Sequence, residues 1–206
     1  MRDDFNDGAL HPGHRSIRLK GYDYSSEGLY FITICSHEKR CVFGRIIEGR
    51  AVSSPVGLII RDYWVAIPSH FTQTRLHAFV IMPNHLHGIV EICSKLGRSS
   101  AAPLRGNVAM LQAGSLGAIV RSLKAAVSKH ARERLRWNGA MWQRNYYERI
   151  LRDGQEFSDA TRYIEENPAR WEWDRENPER KPLPAERGSR WDGEYGYDIA
   201  NLKARS

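Results

Sequence analysis

Residues 76–92, L-H-A-F-V-I-M-P-N-H-L-H-G-I-V-E-I, decide the fold. Apolar and β-branched residues lie on either side of Pro83-Asn84, a pair that favours a turn. The stretch therefore reads as two strands, beginning at Leu76 and ending at Ile92, joined at that pair. Side chains alternate faces along a strand. His85, His87, Ile89 and Glu91 then share one face, and Leu86, Gly88, Val90 and Ile92 take the other. Two imidazoles on one face make half a site for a divalent metal. An HxH triplet also arises by chance, as exposed or hydrogen-bonded residues, so the pair needs support from elsewhere. Neither HExxH nor an HxHxDH run is present, which argues against the corresponding zinc hydrolases.

Tyr30 to His37, YFITICSH, reads as a strand, and a second short one follows over Cys41 to Ile47. Val56 to Ile67 reads as a helix closed by Pro68. Residues 94–115 are rich in Ser, Gly and Ala without periodicity, as in a flexible connection. Leu116 to Leu135 is a long helix whose Leu116, Ile119, Val120, Leu123 and Val127 recur at helical spacing. Trp142 to Leu151 reads as a strand. Ser158 is a candidate N-cap for a helix reaching Glu166 and ended by Pro168. The predicted class is α+β, an antiparallel sheet with helices packed over one side. The chain divides into a flexible arm over 1–15, a domain over 16–171 and an extension over 172–206 with no assigned role.

The 206 residues carry a formal charge of +7. Residues 169–206 contain as many acidic as basic side chains, so the excess lies upstream. It concentrates on the long helix, where Arg121, Lys124, Lys129, Arg132, Arg134 and Arg136 face one acidic residue, Glu133. A basic helix fits a polyanionic partner or simply a solvated face. Three cysteines without a CxxC pair argue against a disulfide framework or a zinc ribbon. With neither an apolar leader nor a membrane-length apolar run, a cytoplasmic protein with no membrane partner is expected.

Three blocks carry a family resemblance: F-V-I-M-P-N-H-L-H-G-I-V over 79–90, W-Q-R-N-Y-Y-E over 142–148 and Y-I-E-E-N-P over 163–168. In that order and at those separations they resemble REP-associated tyrosine transposases and their insertion-sequence relatives. These are single-tyrosine enzymes with an HUH (His-hydrophobe-His) motif. The resemblance spans about Ile17 to Trp171. It implies the ferredoxin-like or RRM-like palm of HUH endonucleases. It further implies Tyr163 as nucleophile and His85, His87 and Asn167 as ligands of Mg²⁺ or Mn²⁺. The implied substrates are single-stranded or hairpin DNA from palindromic repeats.

Helix geometry adds an independent check. Phe157, Ala160 and Ile164 form one apolar face, and Tyr163 lies about 100° from its centre. Asn167 is four residues on, on the same side as Tyr163. A boundary tyrosine that packs its ring is the alternative.

For DNA the candidates are Arg121, Lys124, Lys129 and Arg132 on the helix, and Arg144 and Arg149 flanking Tyr146 and Tyr147. Basic side chains interleaved with aromatics suit single strands. Alternation in a strand should point only one of Tyr146 and Tyr147 inward, for packing or base stacking. The arm residues His14, Arg15, Arg18 and Lys20 are further candidates for a DNA hairpin. A monomer and a homodimer both remain compatible. The alternative function is a non-catalytic DNA-binding regulator on the same fold. A small-phosphoester hydrolase ranks last, because only Glu91 offers an acidic ligand near the histidines.

Overall fold

The computed structural model describes residues 26–93 and 114–181. The N-terminal arm with His14, Arg15, Arg18 and Lys20, nearly all of the 94–115 connection, and residues 182–206 lie outside the described residues. In chain order the elements are β1 (Gly28–Cys35), β2 (Gly44–Ile47), β3 (Arg50–Ser53), α1 (Pro55–Val65), α2 (Ile67–His70), β4 (Thr74–Ile81) and β5 (His85–Ile92). Then follow α3 (Leu116–Leu135), β6 (Tyr147–Leu151) and α4 (Gly154–Glu166).

Four strands form one antiparallel sheet in the order β4-β5-β1-β6. This is the α+β architecture expected from the pattern, but helices cover both faces rather than one. Tyr30, Ile32, Ile34, Leu86, Val90 and Ile92 pack against α1 and α3 through Ile60, Trp64, Ile119, Leu123 and Val127. Phe31, Ile89 and Leu151 pack on the other side against Ala160 and Ile164 of α4. The reason lies in the two central strands. Six successive residues of β1, Tyr30 to Cys35, and seven of the eight in β5 are buried. A strand with no wet face needs cover on each side, whereas a one-sided sheet alternates polar and apolar. His85 and His87 thus sit in a core layer between sheet and helix.

Local chemistry accounts for the remaining departures. The strand expected over Cys41–Ile47 starts at Gly44 and pairs with β3. Glu48 and Gly49, at φ 50° and 71°, form the two-residue turn between them. Two consecutive positive φ values match the twist of a tight hairpin, and glycine adopts them without strain. Pro68 opens α2 instead of closing a longer helix, because its missing N–H costs nothing in a first turn. The strand expected from Trp142 begins only at Tyr147. Trp142 itself forms a single bridge to Ser36 and sends its indole N–H to Lys124 O and Ser128 Oγ. The N-cap of α4 is Asp153, whose carboxylate accepts from Glu156 N at 2.8 Å. Ser158 lies within the helix and donates to Gly154 O four residues back, a typical use of an interior serine.

β4 carries a bulge. Leu76 pairs with Val90 and Phe79 with Gly88, so His77 and Ala78 together oppose Ile89.

Candidate metal and nucleophile site

The connection after β4 delivers Met82–Asn84 directly into β5, and the first residue of that strand is His85. Pairing sets Cys35 opposite His85, Thr33 opposite His87 and Phe31 opposite Ile89. All project toward α4. The two imidazole centroids are 4.3 Å apart, and both rings are sealed, at 0% and 1% exposure.

Second partners orient each ring. Asn84 Nδ2 donates to Lys39 O at 3.0 Å and to Glu176 O at 2.5 Å, which turns its Oδ1 toward His85. His85 Nδ1–H donates to that oxygen at 2.8 Å, so the lone pair of His85 sits on Nε2. His87 Nδ1 lies 2.8 Å from Thr33 Oγ1, an oxygen able to accept its N–H. Burial pushes the His85 imidazole down to about 3, and the nearby Lys39 charge adds to this. His87 is also held well below the usual histidine range, by burial first and His85 second, with Asp174 opposing. Both rings are therefore neutral at pH 7, as metal ligands must be.

Helix α4 brings the remaining groups. Its Phe157, Ala160 and Ile164 stripe rests on the sheet. Tyr163 leans at the rim of that contact, edge-on to Phe31 at 5.9 Å between centroids. The Tyr163 hydroxyl is 3.5 Å from His87 Nε2. Asn167 keeps helical angles at the end of α4, and its side chain is carried inward to 3% exposure. Asn167 Nδ2 donates to Asp174 Oδ2 at 3.0 Å, leaving its Oδ1 directed elsewhere.

Two sealed acceptor atoms here have no hydrogen-bond partner, His85 Nε2 and Asn167 Oδ1. Burying an acceptor without a donor is costly, and a bound cation would satisfy such acceptors. The donor set of imidazole nitrogen and amide oxygen suits Mg²⁺ or Mn²⁺.

The sequence pattern missed Asp174. The 3-10 segment Asn167–Trp173 continues from α4, and the chain beyond it turns back over the histidines. Trp171 lies 6.1 Å from the His85 ring, and Asp174 Oδ2 lies 3.9 Å from His85 Nε2. His85, His87 and Asp174 each offer a ligand atom, all within 4.8 Å of one another. Nothing periodic or apolar marks W-E-W-D-R-E-N-P, so its only signal was an acidic residue shortly after Asn167.

The expected DNA residues scatter. Helix α3 packs behind the sheet, with Arg121, Lys129 and Arg132 exposed on its outer side. Lys124 instead turns toward the chain before β6 and donates to Gln143 O and Asn145 O at 2.8 and 3.0 Å. Burial lowers its pKa to about 8. Tyr146 packs on the α3 side and Tyr147 on the α4 side against Phe31. Because both faces are covered, both tyrosines are part-buried, not one alone. Arg144 is exposed, and Arg149 pairs with Glu156 at 3.1 Å.

No family model matches the chain. It is 44% identical over 178 residues to an uncharacterized protein of Haemophilus influenzae, covering 84% of this chain and 97% of that one. Its structure is similar to that of a REP-associated tyrosine transposase bound to a REP hairpin. The TM-score is 0.51 at 15% identity, over 74% of each chain. That likeness bears out the fold that the resemblance implied.

Proposed function

Starting from a chain that belongs to the same family as the Haemophilus influenzae protein and shares the fold of a tyrosine transposase, we propose a metal-dependent single-stranded DNA endonuclease and strand-transferase. The observation that carries this reading is the meeting of four groups from two elements. The Tyr163 hydroxyl lies 3.5 Å from His87 Nε2, the two imidazole centroids are 4.3 Å apart, and the Asn167 amide reaches the same Asp174 oxygen that faces His85 Nε2.

His85, His87 and Asn167 would hold Mg²⁺ or Mn²⁺, which when bound polarises the scissile phosphate. The chain's own groups do the rest. Tyr163 Oη attacks phosphorus, an O–P bond to tyrosine forms, and the bond from phosphorus to the 3′ oxygen breaks. The phenolic proton leaves the tyrosine, and the departing oxygen takes one up as a free 3′-OH. A 5′-phosphotyrosine link results, and it conserves the bond energy for rejoining. Asn84 and Thr33 hold the imidazoles in place, and the α4 stripe sets the reach of Tyr163. The REP hairpin in the related structure supports hairpin-forming repeat DNA as substrate.

The test uses labelled single-stranded hairpins with Mn²⁺ or Mg²⁺ on denaturing gels. A covalent protein–DNA band that requires metal and disappears in Tyr163→Phe is the expected result. A band that survives in that variant moves the nucleophile elsewhere. Hairpin binding without any band, on the host's own repeats, favours a non-catalytic binder.

A further inference from the structure

Residues 171–177 do more than end the helical run. Asp174 Oδ1 accepts from Glu176 N at 2.7 Å, and Asp174 N donates to Trp171 O at 3.1 Å. Asn177 Nδ2 donates to the same Trp171 carbonyl at 2.9 Å. The Glu176 backbone carbonyl accepts from Asn84, the residue that orients His85. The Glu176 carboxylate accepts from Lys39 Nζ at 3.2 Å and from the Cys35 thiol at 3.4 Å. This segment is thus tied to the loop after β1, to the β4–β5 connection and to α4.

What it carries into the pocket is a negative charge. The Asp174 side chain is 4% exposed. Its Oδ2 faces His85 Nε2, and the Asn167 amide donates to that same oxygen. Two imidazole nitrogens and an amide oxygen bring no charge of their own. A sealed carboxylate needs compensation, and a divalent cation between these atoms supplies it.

Resting on the metal reading above, we propose that Asp174 is a fourth, anionic donor to that metal, so that ion binding and docking of residues 171–177 are one linked event. A donor that exists only when the segment is docked makes metal stabilise the docked state. It also makes the segment raise metal affinity. The extra carboxylate strengthens the hold on a hard oxygen-seeking ion, Mn²⁺ or Mg²⁺, in a site whose other donors are neutral.

The test follows Mn²⁺ binding to the full-length protein without DNA, read as loss of the free-ion paramagnetic resonance signal. Wild type, Asp174→Asn, Asp174→Glu and His85→Gln are compared, with melting curves to confirm folding. The proposal expects one bound ion in wild type and an affinity about tenfold or more weaker in Asp174→Asn, the scale seen for disturbed metal sites. Asp174→Glu, which keeps the carboxylate, should recover part of the loss. Hydrogen exchange at the Glu176 amide should slow on adding Mn²⁺ in wild type and not in Asp174→Asn. If Asp174→Asn binds as wild type or tighter while His85→Gln does not bind, Asp174 is no donor and the His–His–Asn site stands without it. If wild type binds no ion, both the proposal and the metal reading fall.

Discussion

Replacing Thr33 by valine tests whether the wall behind His87 tunes the site. Valine keeps the branched shape and removes only the hydroxyl. Thr33 is 1% exposed, and its Oγ1 sits 2.8 Å from His87 Nδ1. Without that oxygen the ring nitrogen is left in a sealed layer with no replacement from water. Such an orphaned group costs about 1–3 kcal/mol. For a chain of this size that lowers the melting temperature by roughly 2–12 °C. Metal affinity should fall about 10–100-fold, since the ring loses the partner that fixes its tautomer. Differential scanning calorimetry and Mn²⁺ titration read the two effects separately. Thr33→Ser, which restores a hydroxyl, should recover most of both. A lower melting temperature with unchanged metal affinity would refute the argument that Thr33 acts through His87 on the ion.

Histidine burial makes stability fall with acid. The folded pKa of each imidazole lies below its unfolded value, so the unfolded chain binds more protons below about 6.5, for His85 down to about 3. Stability is complete above the unfolded value and is lost as pH drops, at up to about 1.4 kcal/mol per pH unit for each ring. Urea midpoints from pH 7 to pH 4 should fall more steeply in wild type than in His85→Gln, and equal slopes would show the rings do not carry the effect. Gly88→Ala would set a Cβ 2.4 and 2.6 Å from two atoms of the Trp64 ring, which is fully buried. Overpacking of that kind costs about 1–3 kcal/mol, and a melting temperature within a degree of wild type would mean the core there is loose. Lys124→Ala should destabilise the fold by about 1 kcal/mol or more through the abandoned Gln143 and Asn145 carbonyls. Arg132→Ala should stay within about 0.5 kcal/mol. Chemical denaturation separates them, and matching values would contradict the structural role given to Lys124.

Where the sequence was legible, one signal dominated. Helix α3 was readable to both ends, because an amphipathic stripe runs its whole length and Ser115 caps it by accepting from Ala118 N. The His85–His87 face followed from the pleat alone. The strand before it was harder, since the His77–Ala78 bulge breaks alternation at the middle of β4. The third layer was hidden for a different reason. Burial on both faces makes β1 and β5 read as uniformly apolar, and that cannot say which helix lies on which side. Asp153 and Ser158 are both residue types that cap helices, and only the fold decides between them. Asp174 had no local signature, because it is placed by its hydrogen bond from Asn167 and by the bond from Asn84 to the Glu176 carbonyl two residues on.

Under the proposed function, the layer order bears on how DNA would approach. Tyr163, His85 and His87 lie between the sheet and α4, whereas Arg121, Lys129 and Arg132 lie on α3, across the sheet. Under the proposed function, a phosphate held by those α3 side chains is therefore not the one that Tyr163 would attack. Salt dependence offers a way to separate the two roles. Each lost phosphate contact reduces the salt slope of binding by about one unit. If α3 grips DNA, Arg132→Ala lowers that slope while leaving the rate of adduct formation at saturating DNA unchanged, because its guanidinium is far from the reacting bond. A variant that slows the covalent step at saturation would place the scissile strand on the α3 side, and the pocket between β5 and α4 would lose its claim to the chemistry.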